Sequence, residues 1–340
     1  MNKRFEYISF LNVLSCIAVV VLHTNGCFWT FSYERYWITA NIIESVMYFA
    51  VPIFFMITGA TLIDYRDRYD TKKFFIKRIK KVVIPFAIWS LLGVLYMLIM
   101  HKENMYNLTF KDLIDAIMNT KVINIYWFFI PLISIYLSIP ILAFVQKRDR
   151  KKIFIYLSLV AFLTVSFFPF LCKIFDLHYN NSLIVSVGSG YILYVVLGYL
   201  ISHYDISIKQ RYVIYIFAII GLFLHVFGTY YLSMIHGEII QTFKGYLNVP
   251  CVLYSIGIFT FFKYQNFNRL RKIKVINLSQ YSFSIYLMHY YVIDIITTIF
   301  PINTLSIIYR LFAPIIIIFV CIMISLVIRK IPYLKNILPK

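Results

Sequence analysis

Long apolar runs recur from one end of this chain to the other, and they limit what it can fold into. An α-helix needs about 20 apolar residues to cross the hydrocarbon core of a bilayer. Ten runs of about this length lie at residues 8–29, 38–63, 82–100, 124–145, 153–171, 183–201, 212–232, 247–263, 276–298 and 305–328. Because backbone groups in lipid must be satisfied within the segment, the runs predict helices rather than isolated strands.

The composition also indicates a membrane protein. Of 340 residues, 61% are hydrophobic and 14% are charged, whereas soluble domains are nearer half apolar and a quarter charged. We therefore predict an all-α polytopic membrane helix bundle, with residues 1–340 as one integral-membrane domain. No repeat, flexible linker or long polar segment marks a second domain, and since the chain stops at Lys340 we expect no appended extracytoplasmic domain.

The distribution of basic residues predicts how the bundle is oriented. Cytoplasmic loops are enriched in Lys and Arg, and 26 of the 33 such residues lie in the N-terminus, the loops after even-numbered runs and the C-terminus, counting Lys263 at the end of the eighth run. Ten spans with this asymmetry place both termini in the cytoplasm. The same asymmetry accounts for the net charge of +19 and for the basic segment 147–152, so it argues against nucleic-acid binding.

The five cysteines predict neither a metal site nor a disulfide framework. No Cys-x-x-Cys pair or other ligand spacing occurs, and most of them lie in apolar runs, where a thiol packs as a small hydrophobic group. They are Cys16, Cys27, Cys172, Cys251 and Cys321. We expect no metal and no permanently bound cofactor.

Ionisable residues inside the apolar runs are the first candidates for a functional site, because they are costly in lipid and usually face a bundle interior or an aqueous cavity. Glu44 and Asp294 are the two acidic residues within the runs. At about 1.5 Å of rise per residue, His23 lies roughly 22 Å from the cytoplasmic side and Glu44 about 21 Å. The two side chains are therefore predicted to share one level. His289 and His225 come out at roughly 20 Å.

Two helical stripes of polar residues predict the walls of a polar interior. Residues spaced by three, four or seven positions share one face of a helix. The first run carries such a stripe at Ser9, Asn12, Cys16 and His23, and the ninth at Ser279, Ser282, Tyr286 and His289.

Each histidine has a structural alternative, an interhelical hydrogen bond worth about 1 kcal/mol or less. For His225, which lies between two glycines, we prefer that interpretation, and for His289 both stay open. For His23 we favour function, because an imidazole near an acid can act as a base near neutral pH. Glu44 and Asp294 are also compatible with the proton relay of a transporter.

Six phrases carry a resemblance to a known family. In chain order they are FLNVLSCIAVVVLH, VPIFFMITGATLI, KRIKKVVIPFAIW, IYWFFIPLISIYLSIPIL, GYILYVVLGYLI and LSQYSFSIYLMHYYVI. Together they resemble the acyltransferase-3 family of ten-span membrane enzymes that acylate cell-surface glycans.

The resemblance implies roles for particular residues. The family's catalytic histidine falls on His23. An Arg-x-x-Arg motif before the third span falls on Arg78 and Lys81, which we expect to bind the acyl donor, although lysine lacks the guanidinium fork. The family often carries an arginine where this chain has Asn12. Either another basic residue of this chain binds the group that the arginine contacts, or the acyl donor differs. We expect the substrate pocket to include Asn12, Trp127, Tyr286, His289 and Asp294.

The function implied is transfer of an acyl group, chiefly acetyl from acetyl-coenzyme A, to a hydroxyl of a cell-surface or lipid-linked glycan in the cytoplasmic membrane of a bacterium. His23 would take the hydroxyl proton, with Glu44 or Asp294 orienting the ring. An exporter or flippase of polysaccharide or lipid-linked glycan is the alternative. Broken helices in matching halves or an inverted repeat would favour that alternative, and neither is clear in the sequence.

Overall fold

The computed structural model describes residues 3–100, 109–188, 190–267, 275–332 and 337–338. Within these ranges the chain is helical and contains no β-strand, which confirms the predicted fold class. The first eight α-helices are α1 (Lys3–Thr24), α2 (Arg35–Met47), α3 (Ala50–Leu62), α4 (Thr71–Arg78), α5 (Ile84–Ile99), α6 (Phe110–Met118), α7 (Phe129–Phe144) and α8 (Lys147–Ala161). The others are α9 (Phe168–Ile174), α10 (Ile192–His203), α11 (Ile208–Phe223), α12 (Thr229–His236), α13 (Val249–Lys263), α14 (Ser282–Ile299) and α15 (Ile307–Lys330).

Eight helical stretches in the described ranges are long and apolar enough to cross a bilayer. They match eight of the ten predicted runs. Helices α10 and α13, in the sixth and eighth runs, have 12 and 15 residues, fewer than the roughly 20 that a straight span needs. The count of ten spans and the cytoplasmic termini therefore stay predictions. Ser189 of the sixth run lies outside the described residues.

Reporter fusions test the orientation directly. We expect a reporter within 101–123 to be extracytoplasmic and one within 146–152 to be cytoplasmic, because the loop charges favour that orientation. Residues 101–108 of the first segment lie outside the described ranges, so the junction is best placed at 119–123, after α6. Activity of alkaline phosphatase and fluorescence of a green fluorescent protein at each junction give the location. Reporters that both locate to one side would contradict ten spans.

Helix α1 lies at the centre of the bundle. It packs against α2, α3, α13, α14 and α15, and Leu11, Ala18 and Val20 on it have no exposed surface. The polar stripe of this helix can therefore face neighbouring helices instead of lipid.

Three of the long helical stretches are interrupted by π-helical turns, at Ile79–Val83, Phe162–Phe167 and Leu224–Gly228. Such a turn inserts an extra residue into a helix and changes the angular register of the residues after it; π-helical turns are frequent at functional sites. The first begins directly after Arg78, between α4 and α5. It alters the relative direction of Arg78 and Lys81, which would lie on one face of an uninterrupted α-helix.

Helices α3 and α10 pack closely together because each has a glycine at the contact. A Cβ atom at Gly59 would lie 1.8 Å from the carbonyl oxygen of Val195, and one at Gly198 would lie 2.1 Å from that of Met56. Small residues allow this close backbone approach between helices in a membrane. The contact fixes the position of α3, which contributes part of the wall of the candidate site.

Gly59→Ala should destabilise the protein by roughly 1–3 kcal/mol, because the new methyl group meets a backbone carbonyl that cannot move away without shifting a helix. The measurement is the melting temperature in detergent. Gly26→Ala is the matched control, since no heavy atom outside its own local backbone and chain neighbours lies within 4 Å of the Cβ position there. Equal melting temperatures for the two variants would contradict the packing argument.

Candidate functional site

The two predicted polar stripes face each other. The Cys16 thiol on α1 donates to the carbonyl oxygen of Ser282 on α14 at 3.6 Å. Toward the other end of α1, the ring centroids of His23 and His289 are 5.1 Å apart. Two helices that are far apart in sequence thus form one polar seam, as the spacing of their polar residues indicated.

A cavity of about 330 Å³ opens beside His23, and we call it the His23 cavity. Trp29 and Asn124 line it and are exposed, so it reaches the surface near the end of α1. Its wall also includes the predicted site residues His23, Glu44, Trp127 and Tyr286. The shared depth expected for His23 and Glu44 corresponds to a shared cavity.

The ring of His23 contacts another histidine rather than an acid. Among the described residues, no hydrogen bond joins His23 to Glu44. His289 is fully buried, and its Nδ1 lies 3.0 Å from the carbonyl oxygen of Ile285. Since a carbonyl can only accept, Nδ1 carries the proton and Nε2 is left as an acceptor. Nε2 has no hydrogen-bond partner in the described part of the chain, so His289 adjoins His23 by ring packing and not through a hydrogen bond.

Glu44 is held by a residue that the sequence did not single out. It is 2% exposed, and its Oε2 accepts a hydrogen bond from Asn25 Nδ2 at 3.2 Å. Asn25 directly follows the C-terminal end of α1, two residues after His23. The turn that ends α1 therefore links the two candidate residues.

A buried lysine lies near Glu44, in the loop between α12 and α13. Lys244 is 1% exposed, and its Nζ lies 4.4 Å from the ring centroid of Phe28 and 4.2 Å from that of Tyr48. Burial lowers the pKa of Lys244 to about 8, and the attraction of the Glu44 carboxylate opposes this shift. The ammonium has no hydrogen-bond partner among the described residues, so the aromatic rings and Glu44 are what stabilise its charge.

A second cavity, of about 260 Å³, is lined by Asn12 and Arg78, and we call it the Arg78 cavity. Asn12 precedes His23 by eleven residues, or roughly 16 Å along α1 toward the N-terminal end. The guanidinium of Arg78 lies 5.6 Å from the ring centroid of Tyr136. Lys81, the other predicted donor-binding residue, is exposed and lies outside the lining of this cavity. The π-helical turn after Arg78 accounts for this separation.

Two aromatic residues belong to the walls of both cavities. Phe128 and Tyr286 line the His23 cavity and the Arg78 cavity. Their ring centroids are 5.6 Å apart in an edge-on arrangement, and the Tyr286 hydroxyl donates to the carbonyl oxygen of Ile125. The two cavities thus adjoin at a thin aromatic partition.

Three other residues from the sequence analysis, His289, Asp294 and His225, line neither cavity. Asp294 accepts a hydrogen bond from the Tyr96 hydroxyl, and it does not line the His23 cavity. The structure therefore does not bring Asp294 to His23. His225 is fully buried in the third π-helical turn, and its ring packs edge-on against Tyr48 at 5.0 Å. It supports the wall of the His23 cavity without lining it.

A comparison with protein families matches a family model described as an acyltransferase domain to residues 5–328, nearly the whole chain. The matched range contains every residue that lines the two cavities. No curated protein and no solved structure matches the chain.

Proposed function

This chain belongs to the acyltransferase-3 family, as the six phrases predicted, and we propose that it transfers an acetyl group from acetyl-coenzyme A to a hydroxyl of a cell-surface or lipid-linked glycan. Its family and its apolar helices make it a multi-pass membrane acyltransferase. The observation that carries the finer proposal is the pair of adjoining cavities, with His23 on the wall of one and Arg78 on the wall of the other.

The Arg78 cavity suits the donor. A coenzyme A thioester carries phosphate groups at one end and a narrow, uncharged arm at the other. Arg78 supplies a guanidinium that can pair with phosphate, and Phe54, Ile57 and Leu132 give the cavity apolar walls. With the predicted orientation, this cavity lies toward the cytoplasm, where acetyl-coenzyme A is made.

The His23 cavity suits a sugar. The rings of Trp127 and Tyr246 lie 5.5 Å apart and within 24° of parallel, and both line the cavity. Tyr246 also stacks on Tyr48 at 4.3 Å, so the stack offers the edges of its rings, rather than free faces, as apolar surface to a sugar. Glu44 and Asn124 add polar groups that can pair with hydroxyls, the mixture expected of a small-molecule site.

The proposed reaction is a direct transfer. His23 takes the proton of the acceptor hydroxyl as the oxygen attacks the thioester carbon, since a hydroxyl is a poor nucleophile until it loses its proton. The new carbon–oxygen bond forms, the carbon–sulfur bond breaks, and the leaving thiolate receives the proton from His23. The ring of His289 packs against that of His23, with 5.1 Å between their centroids, and Glu44 holds the acceptor.

Purified protein in lipid vesicles tests the proposal against an exporter. Labelled acetyl-coenzyme A is supplied on one side and a glycan acceptor on the other, and the acetylated glycan and its location are measured by mass spectrometry. Acetyl transfer without glycan movement is expected. Glycan movement that needs no thioester would instead support the exporter.

The pH dependence of transfer should reflect Lys244. Because the pKa of Lys244 is about 8, the ammonium loses its proton above this pH and Glu44 loses the attraction of that charge, so we expect activity to decline there. Lys244→Arg should extend activity to higher pH, since a guanidinium stays protonated. The measurement is the initial rate of transfer between pH 6 and about 10. Lys121→Arg, at an exposed site paired with Asp115, is the control, and an unchanged alkaline limit in Lys244→Arg would contradict the prediction.

A further inference from the structure

Arg310 on the last helix is a buried charge that the proposed reaction does not use. It is 1% exposed and lies near the start of α15. Its Nη1 donates to Asn25 Oδ1 and to the carbonyl oxygen of Tyr36, each at 3.3 Å, and its Nη2 donates to Thr39 Oγ1 at 2.8 Å. Removing an arginine from water costs several kcal/mol, so these contacts offset a large penalty. An apolar side chain at this position would pack without that desolvation penalty, so packing alone does not explain the arginine.

The contacts of Asn25 fix the orientation of its amide. The amide is fully buried, its Oδ1 accepts from Arg310, and its Nδ2 donates to the carbonyl oxygen of Ala40 at 2.9 Å. A guanidinium can only donate and a backbone carbonyl can only accept, so the oxygen and nitrogen ends of Asn25 are unambiguous. The same Nδ2 therefore points a hydrogen at Glu44 Oε2.

We propose that Arg310 positions Glu44 through Asn25, so that the last helix of the bundle fixes the carboxylate at the wall of the His23 cavity. Arg310 is a positioning residue, because it acts through Asn25 and does not line the cavity. The consequence for catalysis rests on the proposed function: a carboxylate held in one place can hold the acceptor hydroxyl in one place. Loss of that alignment typically costs up to about a hundredfold in rate.

A double-mutant cycle tests this chain of contacts. Arg310→Met should lower kcat by about tenfold to a hundredfold and leave the KM for the donor unchanged. Arg310→Lys, which keeps the charge, should recover part of the rate. In a Glu44→Gln background, Arg310→Met should cause little further loss, because both changes remove the same function. Arg329→Met on the same helix is the matched control, since Arg329 also donates to a backbone carbonyl and a hydroxyl, at Gln280 and Ser284.

A second measurement does not depend on activity. Dicyclohexylcarbodiimide modifies protonated carboxyl groups in apolar surroundings, and mass spectrometry locates the modified residue. Without Arg310 the Asn25 amide is no longer held toward Glu44, so the carboxyl is more accessible and its labelling should be several-fold faster in Arg310→Met than in the wild-type protein or in Arg329→Met. Asn25→Asp, which replaces the donor to Glu44 with an oxygen, should have the same effect if Arg310→Met does not fold.

The outcomes separate the two proposals. Labelling that does not respond to Arg310 or Asn25, or losses of kcat that multiply in the double variant, would overturn the positioning role. A wild-type protein that transfers no acetyl group, with labelling that still responds, would overturn the proposed function and leave the positioning of Glu44 intact.

Discussion

His23→Ala is expected to abolish acyl transfer while the amount of protein in the membrane stays near normal. A general base typically contributes about 10²–10⁴ in rate, and His23 is the imidazole on the cavity wall. The variant should fold, because His23 makes no hydrogen bond to another described residue and its loss leaves no buried partner behind. Transfer rate and membrane abundance, measured on the same samples, check the two halves of this prediction.

Matched variants make the His23 result specific. His225→Ala removes an imidazole that packs behind Tyr48 and does not line the cavity, so it should affect stability more than rate. Glu44→Gln should reduce transfer by less than His23→Ala, because in the proposed reaction Glu44 holds the acceptor and does not take the proton. Full activity in His23→Ala would show that this histidine contributes to packing and not to proton transfer.

The positions of the polar residues on α1 and α14 were predictable because they depend on local geometry. A helix has a fixed rise and a fixed angle per residue, so spacing alone places Cys16 and His23 on one face, and depth alone matches His23 to Glu44. The direct contact between His23 and His289 needed one further condition, that α1 and α14 are neighbours. Packing decides that condition, and no single run of sequence records it.

The partners of Glu44 could not be predicted in this way. Asn25 lies in a turn, Lys244 in a loop, and Arg310 on a helix that is distant in sequence. The one available signal was that Arg310 falls within an apolar run, where an ionisable residue is itself a candidate. A search restricted to acidic residues within the runs does not find Arg310.

Asp294 and Lys81 show why the spacing of residues in the sequence does not by itself place a side chain in the site. Asp294 follows His289 by five residues, which turns it away from the seam on a helix of 3.6 residues per turn, and it pairs with Tyr96 instead. Lys81 follows Arg78 by three residues, a spacing that predicts a shared face. The π-helical turn at Ile79–Val83 changes that register, and hydropathy does not reveal such turns.

Charge reversal at Arg78 and Lys81 together should raise the KM for the acyl-coenzyme A donor by about tenfold to a hundredfold. Hydrogen bonds to charged groups are worth about 1.5–3 kcal/mol each, and a glutamate at the cavity would also repel the phosphates of the donor. The structure predicts that the two residues contribute unequally to this rise in KM. Arg78 lines the cavity and Lys81 is exposed, so Arg78→Glu alone should account for most of the loss and Lys81→Glu for little.

The control for this prediction is the same reversal at Lys151 and Lys152, which are exposed and belong to the segment predicted to lie on the same side of the membrane. A general effect of basic charge near the bilayer would make the two double variants equal, because both remove two positive charges from one surface. A dedicated donor site makes them unequal, since of these four side chains only Arg78 reaches the cavity. Steady-state kinetics at matched expression, with donor and acceptor varied separately, distinguish the two cases. A rise in KM that is the same in both variants, or one that concerns the acceptor and not the donor, would contradict a phosphate contact at Arg78.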